Sequence, residues 1–180
     1  MNIRTFQGTD IPQILEIWNQ AMPRIPINRR SFVKNFLLDH NFNANGFFVA
    51  EEAGEILGFI YAICRVYPID VNGPMNADRA YINAIGLRYQ KDILGGLGAQ
   101  LIQKAEEYIA TWGKRDIFVS NYTPNYIYQG ILTEYADYLQ LFTQAGYAES
   151  SRTISIRIDL LRYQRPEEIV QLKKQREAEG

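Results

Sequence analysis

The chain has 180 residues, 47% of them hydrophobic and 22% charged, and this composition fits one globular domain and excludes a disordered chain. The formal net charge is -1, and lysines and arginines are scattered, so neither nucleic acid nor an anionic membrane is expected as a partner. The single cysteine, Cys64, excludes a disulfide framework and a cysteine-rich metal site, and we expect no metal. Because no signal sequence or membrane-spanning run occurs, we expect a cytoplasmic protein.

Strand and helix patterns alternate from the first residues. A short strand is predicted at Ile3–Phe6, and Asp10 is placed to cap the helix that follows. A second helix is predicted over Arg29–Asp39, because apolar residues recur there on one helix face. Either Asn28 or Ser31 is expected near its cap.

The next segment has the pattern of a β-hairpin. Two apolar runs, Phe47–Glu52 and Glu55–Tyr67, flank the turn residues Ala53 and Gly54, which predicts a pair of antiparallel strands. A turn-rich connection then leads to a further strand at Ala80–Leu87.

Glycines then separate this strand from an amphipathic helix, within the stretch Ile93–Leu101. Glycine lets backbone amides converge without side-chain interference, and a helix start adds unpaired N–H groups and the positive end of its dipole. Such a junction stabilises an anion such as phosphate. A glycine pair before a helix is equally well known as a plain tight turn, and that alternative stays open.

The second half of the chain continues the alternation. After the helix, which Gly113 ends, a short strand is predicted at Asp116–Ser120, and a loop at Asn121–Glu134. A helix at Tyr135–Gln144 and an alternating strand at Thr153–Leu160 follow. The predicted domain covers residues 1–162, and a polar helical tail is predicted at residues 163–180.

This order of elements, together with three motifs, resembles the GNAT superfamily of N-acetyltransferases over roughly residues 2–160. The motif Gly96-Leu97-Gly98 looks like the acetyl-CoA signature of the family, although Ile93 stands where the family usually has Arg or Gln. The segment Leu141–Tyr147 is similar to the late helix of the family, which ends in an aromatic residue, three residues, Gly and Phe or Tyr. The loop Pro124–Gly130 looks like a proline-, tyrosine- and glycine-rich insertion of some members.

The resemblance implies a mixed α/β fold with a central, mostly antiparallel, splayed sheet flanked by helices. It implies an N-acetyltransferase that moves an acetyl group from acetyl-CoA to a primary amine of a small molecule or peptide, by direct attack in a ternary complex. The expected partners are therefore acetyl-CoA and an amine acceptor, and the expected state is a monomer or homodimer. The alternative, motivated by Ile93 and Phe142, is a catalytically weak or inactive acyl-CoA-binding regulatory module. A scaffold whose glycine turn is only a turn is a third option.

The resemblance also implies where the cofactor binds. Its pantetheine arm is expected between the strands Ala80–Leu87 and Asp116–Ser120, with Gly86 suited to a bulge that opens the sheet. Its diphosphate is expected on the backbone amides of the glycine turn. The residues expected to bind the cofactor are Ile85, Gly86, Leu87, Leu94, Gly95, Gly96, Leu97, Gly98, Ala99 and Asn121.

The acid and the base are harder to place, because Phe142 stands where many relatives have a tyrosine that protonates the leaving thiolate. Tyr138 lies one helical turn earlier on the same face, and two loop tyrosines are further candidates, although plugging a sheet edge explains them equally well. The strand base of many relatives is also missing, and Asn83 is placed to position a water instead. The acceptor wall is expected at Ala21–Asn28. The catalytic candidates are Tyr138, Tyr126, Tyr128 and Asn83.

Overall fold

The computed structural model describes residues 1–67, 78–123, 125, 127, 130–154, 156, 159 and 161–179. The chain divides into two compact units, Met1–Ser150 and Ser151–Gly180. Among the described residues, the first unit holds five strands and five α-helices, and the second unit holds one α-helix. No helix in these described ranges has the length and apolarity needed to cross a membrane.

Most of the predicted elements are present with small shifts of their ends. The strands are β1 (Asn2–Thr5), β2 (Phe47–Glu52), β3 (Glu55–Cys64), β4 (Arg79–Leu87) and β5 (Asp116–Val119). The helices are α1 (Ile11–Ala21), α2 (Arg29–Phe32), α3 (Gln90–Leu94), α4 (Leu97–Thr111), α5 (Ala136–Gln144) and α6 (Glu167–Ala178). A π-helical turn, Val33–Leu37, extends α2.

The five strands form one sheet in the order β1-β2-β3-β4-β5. The first three pairs are antiparallel and the pair β4–β5 is parallel, which confirms the predicted mixed, mostly antiparallel sheet. Side chains of α1 such as Ile14 and Trp18 pack in a cluster on one side of the sheet, together with Phe59 of β3. Leu101 and Ala105 of α4 pack in a second cluster with the alternate residues of the strands. Both faces of the sheet are therefore covered by helices, as the two buried clusters require.

Asp10 does not cap α1, contrary to the prediction, since its carboxylate accepts no hydrogen bond from that helix. The carboxylate instead accepts two hydrogen bonds from Arg4, at 2.8 and 2.9 Å, and one from the N–H of Gln7, at 2.7 Å. Asn28 does cap α2, because its side chain accepts the N–H of Ser31 at 2.9 Å. Asp10 thus joins β1 to the start of α1 through a charge pair.

Three other predictions about elements need correction. Strand β3 ends at Cys64 instead of Tyr67, because the side chain of Asn41 takes the N–H groups of Val66 and Tyr67, both at 2.7 Å. The glycine turn does not follow β4 directly, since α3 lies between them. The predicted last strand falls partly outside the described residues, and the described residues of that range, Thr153, Ile154, Ile156 and Asp159, belong to no strand.

The bulge in β4 lies at Asn83, and not at Gly86 as predicted. Residues of β3 and β4 pair one to one except at this point, where Tyr61 faces Ala84 and Ala62 faces Ile82. Asn83 is the extra residue between them. The reason for glycine at position 86 is close packing.

Gly86→Ala is expected to destabilise the fold by about 1–3 kcal/mol, because a methyl group there forces buried rings apart. The added Cβ would lie 2.6 Å from Cε1 of Phe59 and 3.3 Å from Cγ2 of Ile17. The ring of Phe59 is itself stacked on Trp18, with 6.0 Å between centroids, so it has little room to move. Urea unfolding measures the change. Gly8→Ala is the matched control, since no atom lies within 4 Å of its added Cβ, and equal losses for the two variants would contradict the packing argument.

Candidate functional site

A fork between β4 and β5 is the central feature of the candidate site. The two strands pair as far as Ile82 and Val119, and the N–H of Ser120 adds one more hydrogen bond, of 2.8 Å, to the carbonyl of Ile82. Ser120 and Asn121 then have φ values of +63° and +59°, in the left-handed region, so the chain turns sharply after β5. The rest of β4, from Asn83 to Leu87, has no described strand beside it on this side, and the predicted splay is confirmed.

Alternation along β4 decides which backbone groups face this open side. The N–H of Arg88 donates to the carbonyl of Leu57 at 2.8 Å, so it points towards β3. In an extended strand the backbone groups of successive residues point to opposite sides, and Leu87 and Ile85 therefore face the open edge. These are two of the residues predicted to bind the cofactor arm. Gly86, the third, faces β3 with its backbone.

The open amide of Leu87 is already engaged within the protein. It donates a hydrogen bond of 3.0 Å to the hydroxyl of Tyr138 on α5. Tyr138 is only 4% exposed, and burial raises the pKa of its hydroxyl to about 12. Two sequence predictions meet here, since Leu87 was expected to bind the cofactor and Tyr138 to act as an acid. In this arrangement the N–H of Leu87 donates to the hydroxyl of Tyr138, so this N–H is not open to a ligand.

Asn83 lies at the base of the fork, where the strands begin to separate. Its residue surface is 1% exposed, and neither atom of its side-chain amide has a hydrogen-bond partner among the described residues. A buried amide without partners is unfavourable by about 1–3 kcal/mol, so the side chain of Asn83 is a candidate to bind a ligand or a water. The bulge explains its position, because the extra residue breaks the regular pairing with β3.

The start of α4 has the backbone geometry expected of a phosphate cradle. Gly96 has φ of +101°, which favours glycine, and it directly precedes the helix. The first N–H groups of the helix, at Leu97, Gly98 and Ala99, have no partner within the helix itself. Position 98 also requires glycine for packing, since a Cβ there would lie 2.5 Å from the carbonyl oxygen of Ile93.

Ile93, the departure from the family motif, is buried at 6% exposure in the cluster around α4. It therefore offers no polar group to a ligand. Glycine at position 95 has a packing role, because a Cβ there would clash with the carbonyl oxygen of Lys91. Leu94, by contrast, is 41% exposed beside the turn. An anion bound at this turn would consequently be held by backbone amides and the helix dipole.

Two neighbouring cavities adjoin the fork. The larger is a cleft of about 420 Å³ between the end of α1, the end of β4 and the start of α5. The smaller is an apolar chamber of about 10 Å³, beside Ile85. Tyr135 and Tyr138 line both cavities. The cleft is lined by Gln20, Ala21, Pro23, Leu87, Arg88, Gln90, Ile93, Glu134, Tyr135, Ala136, Asp137 and Tyr138.

The charges of the cleft do not favour an anion through side chains. Arg88 is the one basic residue among the described residues that line it, and its guanidinium already contacts Glu16 at 2.9 Å and Glu55 at 3.2 Å. Asp137 accepts a hydrogen bond of 2.7 Å from Gln90 across the cleft. The described side chains that line the cleft therefore offer an anion no unpaired basic group.

The remaining site predictions differ in outcome. Tyr126 and Tyr128 lie outside the described residues. Phe142 is buried and packs edge-on against Tyr147, with 5.3 Å between ring centroids, so it contributes no polar group. Asn121 is exposed at the turn after β5, and its contact with a cofactor stays a prediction.

The expected acceptor wall, Ala21–Asn28, is held firmly beside the cleft. The indole N–H of Trp18 donates to the carbonyl of Ile25 at 2.7 Å, and the side chain of Asn19 bonds both backbone groups of Ile27. The N–H of Arg24 donates to the hydroxyl of Tyr135 at 3.2 Å, which ties this segment to the start of α5. Residues of this segment line both cavities beside the fork, and its role as an acceptor wall stays a prediction.

A buried polar cluster that the sequence did not predict lies beyond the end of β5. The hydroxyl of Tyr122 donates to the carboxylate of Asp39 at 2.8 Å, and the side-chain amides of Asn41 and Asn125 complete the group. Arg65 lies over the ring of Tyr122, 5.3 Å from its centroid. A charged residue directly after an apolar strand is the signal that marks Arg65 in the sequence. No pattern joins residues 39 and 122, because the contact is made only in three dimensions.

No model of a known protein family matches the sequence, and no curated protein matches it. Solved structures with a similar fold include a transcriptional regulator from Bacillus halodurans C-125, with 20% identity and a TM-score of 0.60, covering 87% of this chain and 99% of that one. The ribosomal-protein-S18-alanine N-acetyltransferase from Escherichia coli has 17% identity and a TM-score of 0.56, covering 83% and 79%. The aminoglycoside N-acetyltransferase AAC(6')-Iy in complex with CoA has 20% identity and a TM-score of 0.59, covering 87% and 93%.

These structures share the features described above at the level of the fold. Most of the similar solved structures are N-acetyltransferases of the GNAT superfamily. The mixed, mostly antiparallel five-stranded sheet flanked by helices corresponds to theirs. The chain therefore has the fold of the GNAT acetyltransferases.

Proposed function

We propose that this protein is an N-acetyltransferase that transfers an acetyl group from acetyl-CoA to a primary amine of a small molecule or peptide. The single observation that carries the proposal is the cleft at the fork. One cleft adjoins the open edge of β4 at Leu87 and the segment before α4 at Ile93. An extended arm ending in a diphosphate fits that path, because amides pair with a strand edge and phosphate binds a helix start.

Backbone groups perform the binding in this proposal. Ile85 and Leu87 would hydrogen-bond the amides of the pantetheine arm in the manner of an added strand. The N–H groups of Leu97, Gly98 and Ala99 would hold the diphosphate. The acyl group then lies near the base of the fork, close to Asn83.

The chemical step is direct attack of a neutral amine on the thioester carbonyl carbon. The new C–N bond forms, the C–S bond breaks, the amine nitrogen loses a proton, and the thiolate leaves and gains a proton. The coenzyme A thiol has a pKa of about 8.5, like cysteine, so its thiolate leaves without strong assistance. Asn83 would orient a water that carries the amine proton away, and holding both reactants in line supplies several kcal/mol.

We expect acetyl-CoA to bind with micromolar to millimolar affinity and to be turned over in the presence of a suitable amine. Calorimetric titration at low salt tests the first part, and release of the coenzyme A thiol with a panel of amines tests the second. The absence of both binding heat and thermal stabilisation at millimolar acetyl-CoA would contradict the proposal. Desulfo-coenzyme A is the matched ligand control, since it keeps the diphosphate and most of the arm.

A regulatory module that binds acyl-CoA without turnover is the second candidate. Two observations favour it: Phe142 offers no acid, and Ile93 offers no polar group to the diphosphate. The same pair of assays separates the candidates. Binding of acetyl-CoA without thiol release, across amines of different size and charge, would favour the module.

A further inference from the structure

We propose that the hydroxyl of Tyr138 and a carbonyl of the cofactor arm compete for the same backbone N–H, that of Leu87. The inference rests on the proposed function, because it concerns the arm of the same cofactor. In the unliganded protein Tyr138 blocks the end of the open edge of β4, and the cofactor arm has to displace it. The arm pairs fully with β4 only after the tyrosine leaves this position.

The hydrogen bond between Leu87 and Tyr138 carries the inference. At 3.0 Å it has ordinary hydrogen-bond length, and it joins the last residue of β4 to the first turns of α5. A backbone N–H has a single proton and makes one good hydrogen bond at a time. The hydroxyl therefore occupies the position that an arm carbonyl needs.

The surroundings show why this bond forms in the unliganded protein. Leu87 is 2% exposed, so without the tyrosine its N–H would be buried with no partner, which is strongly unfavourable. Tyr138 also lines both the large cleft and the small apolar cavity.

The inference assigns Tyr138 a role other than general acid. A buried hydroxyl that accepts a backbone hydrogen bond stabilises the empty site, and its removal lowers the stability of the free protein while leaving the liganded protein intact. Cofactor affinity should therefore rise when the hydroxyl is removed. A general acid predicts the opposite pattern, in which turnover falls and binding is unchanged.

Tyr138→Phe tests this, with coenzyme A as the titrated ligand. We expect the variant to bind coenzyme A about 3- to 10-fold more tightly than the natural protein, which is the net effect of one neutral hydrogen bond. Tyr147→Phe is the matched control, because it removes a tyrosine hydroxyl bond of 2.8 Å, to Glu106, away from the cleft. Its affinity should equal that of the natural protein. The amide resonance of Leu87 gives a second readout, since it should shift in Tyr138→Phe and again on ligand addition.

The possible results distinguish the competition for the N–H of Leu87 from the proposed function on which it rests. If Tyr138→Phe binds coenzyme A more tightly than the natural protein and Tyr147→Phe does not, the competition is supported. Equal or weaker binding by that variant, while the natural protein binds coenzyme A, overturns the competition and leaves the proposed function standing. Binding by Tyr138→Phe but not by the natural protein supports the competition and overturns the proposed enzyme. If no protein in the series binds at millimolar ligand, both ideas are overturned.

Discussion

Ala99→Glu lowers the affinity for coenzyme A by about tenfold or more, if the start of α4 holds the diphosphate. Ala99 is exposed and is the third residue of the helix, so a carboxylate there lies among the N–H groups that would bind phosphate. Like charges at such short range repel by an amount that weakens binding measurably even in a surface environment. The fold itself should not suffer, since an acidic residue in the first turn is favourable with the helix dipole.

Calorimetric titration at low and high salt measures the effect, which should shrink as salt rises. Ala99→Gln is the matched control, because it has nearly the same shape without the charge. Pantetheine is the matched ligand, because it lacks the diphosphate and should bind both variants equally. If Ala99→Glu and Ala99→Gln bind coenzyme A with equal affinity, the glycine turn is only a turn and the scaffold reading gains support.

Regular patterns in the sequence were enough to predict most of the strands and helices, and the family resemblance implied how they are arranged. The helical spacing of Ile14 and Trp18, and the paired apolar runs around Ala53 and Gly54, each report a local periodicity that survives in the folded protein. The splayed fork was expected from the family resemblance, and the structure contains it. Local periodicity identifies elements because the buried face of each one repeats along the chain.

The details of the site depended on contacts between distant residues, which no local pattern contains. Asp10 has the residue type and position of a helix cap, and it pairs with Arg4 because β1 brings that guanidinium within reach. Gly86 suggested a bulge, but its lack of a side chain serves the ring of Phe59 on the next strand. The bond between Leu87 and Tyr138 joins residues 51 positions apart, so it emerges only with the packing of α5 on the sheet.

Asp10→Ala is expected to destabilise the fold by about 3 kcal/mol, measured by urea unfolding at neutral pH. The side chain of Asp10 is 6% exposed, and its removal leaves the guanidinium of Arg4 without its two-pronged partner. Glu51 still contacts Arg4 at 2.6 Å, which limits the loss. The N–H of Gln7 also loses its acceptor. A change below about 0.5 kcal/mol would show that the pair contributes no more than an exposed one.

The pH dependence of folding gives an independent check on the same carboxylate. Burial by itself raises the pKa of Asp10, but the hydrogen bonds from Arg4 and from the N–H of Gln7 outweigh it, so the pKa lies below its ordinary value. A group whose pKa is lowered by folding stabilises the protein fully above its unfolded pKa of about 3.9, and this contribution is lost as pH falls through the folded value. Asp10→Asn keeps the shape without the charge. The stability difference between the natural protein and Asp10→Asn should therefore be constant from pH 7 to about pH 5 and shrink below about pH 4. A difference that stays the same down to pH 2 would mean that packing, and not the charge of Asp10, holds β1 against α1.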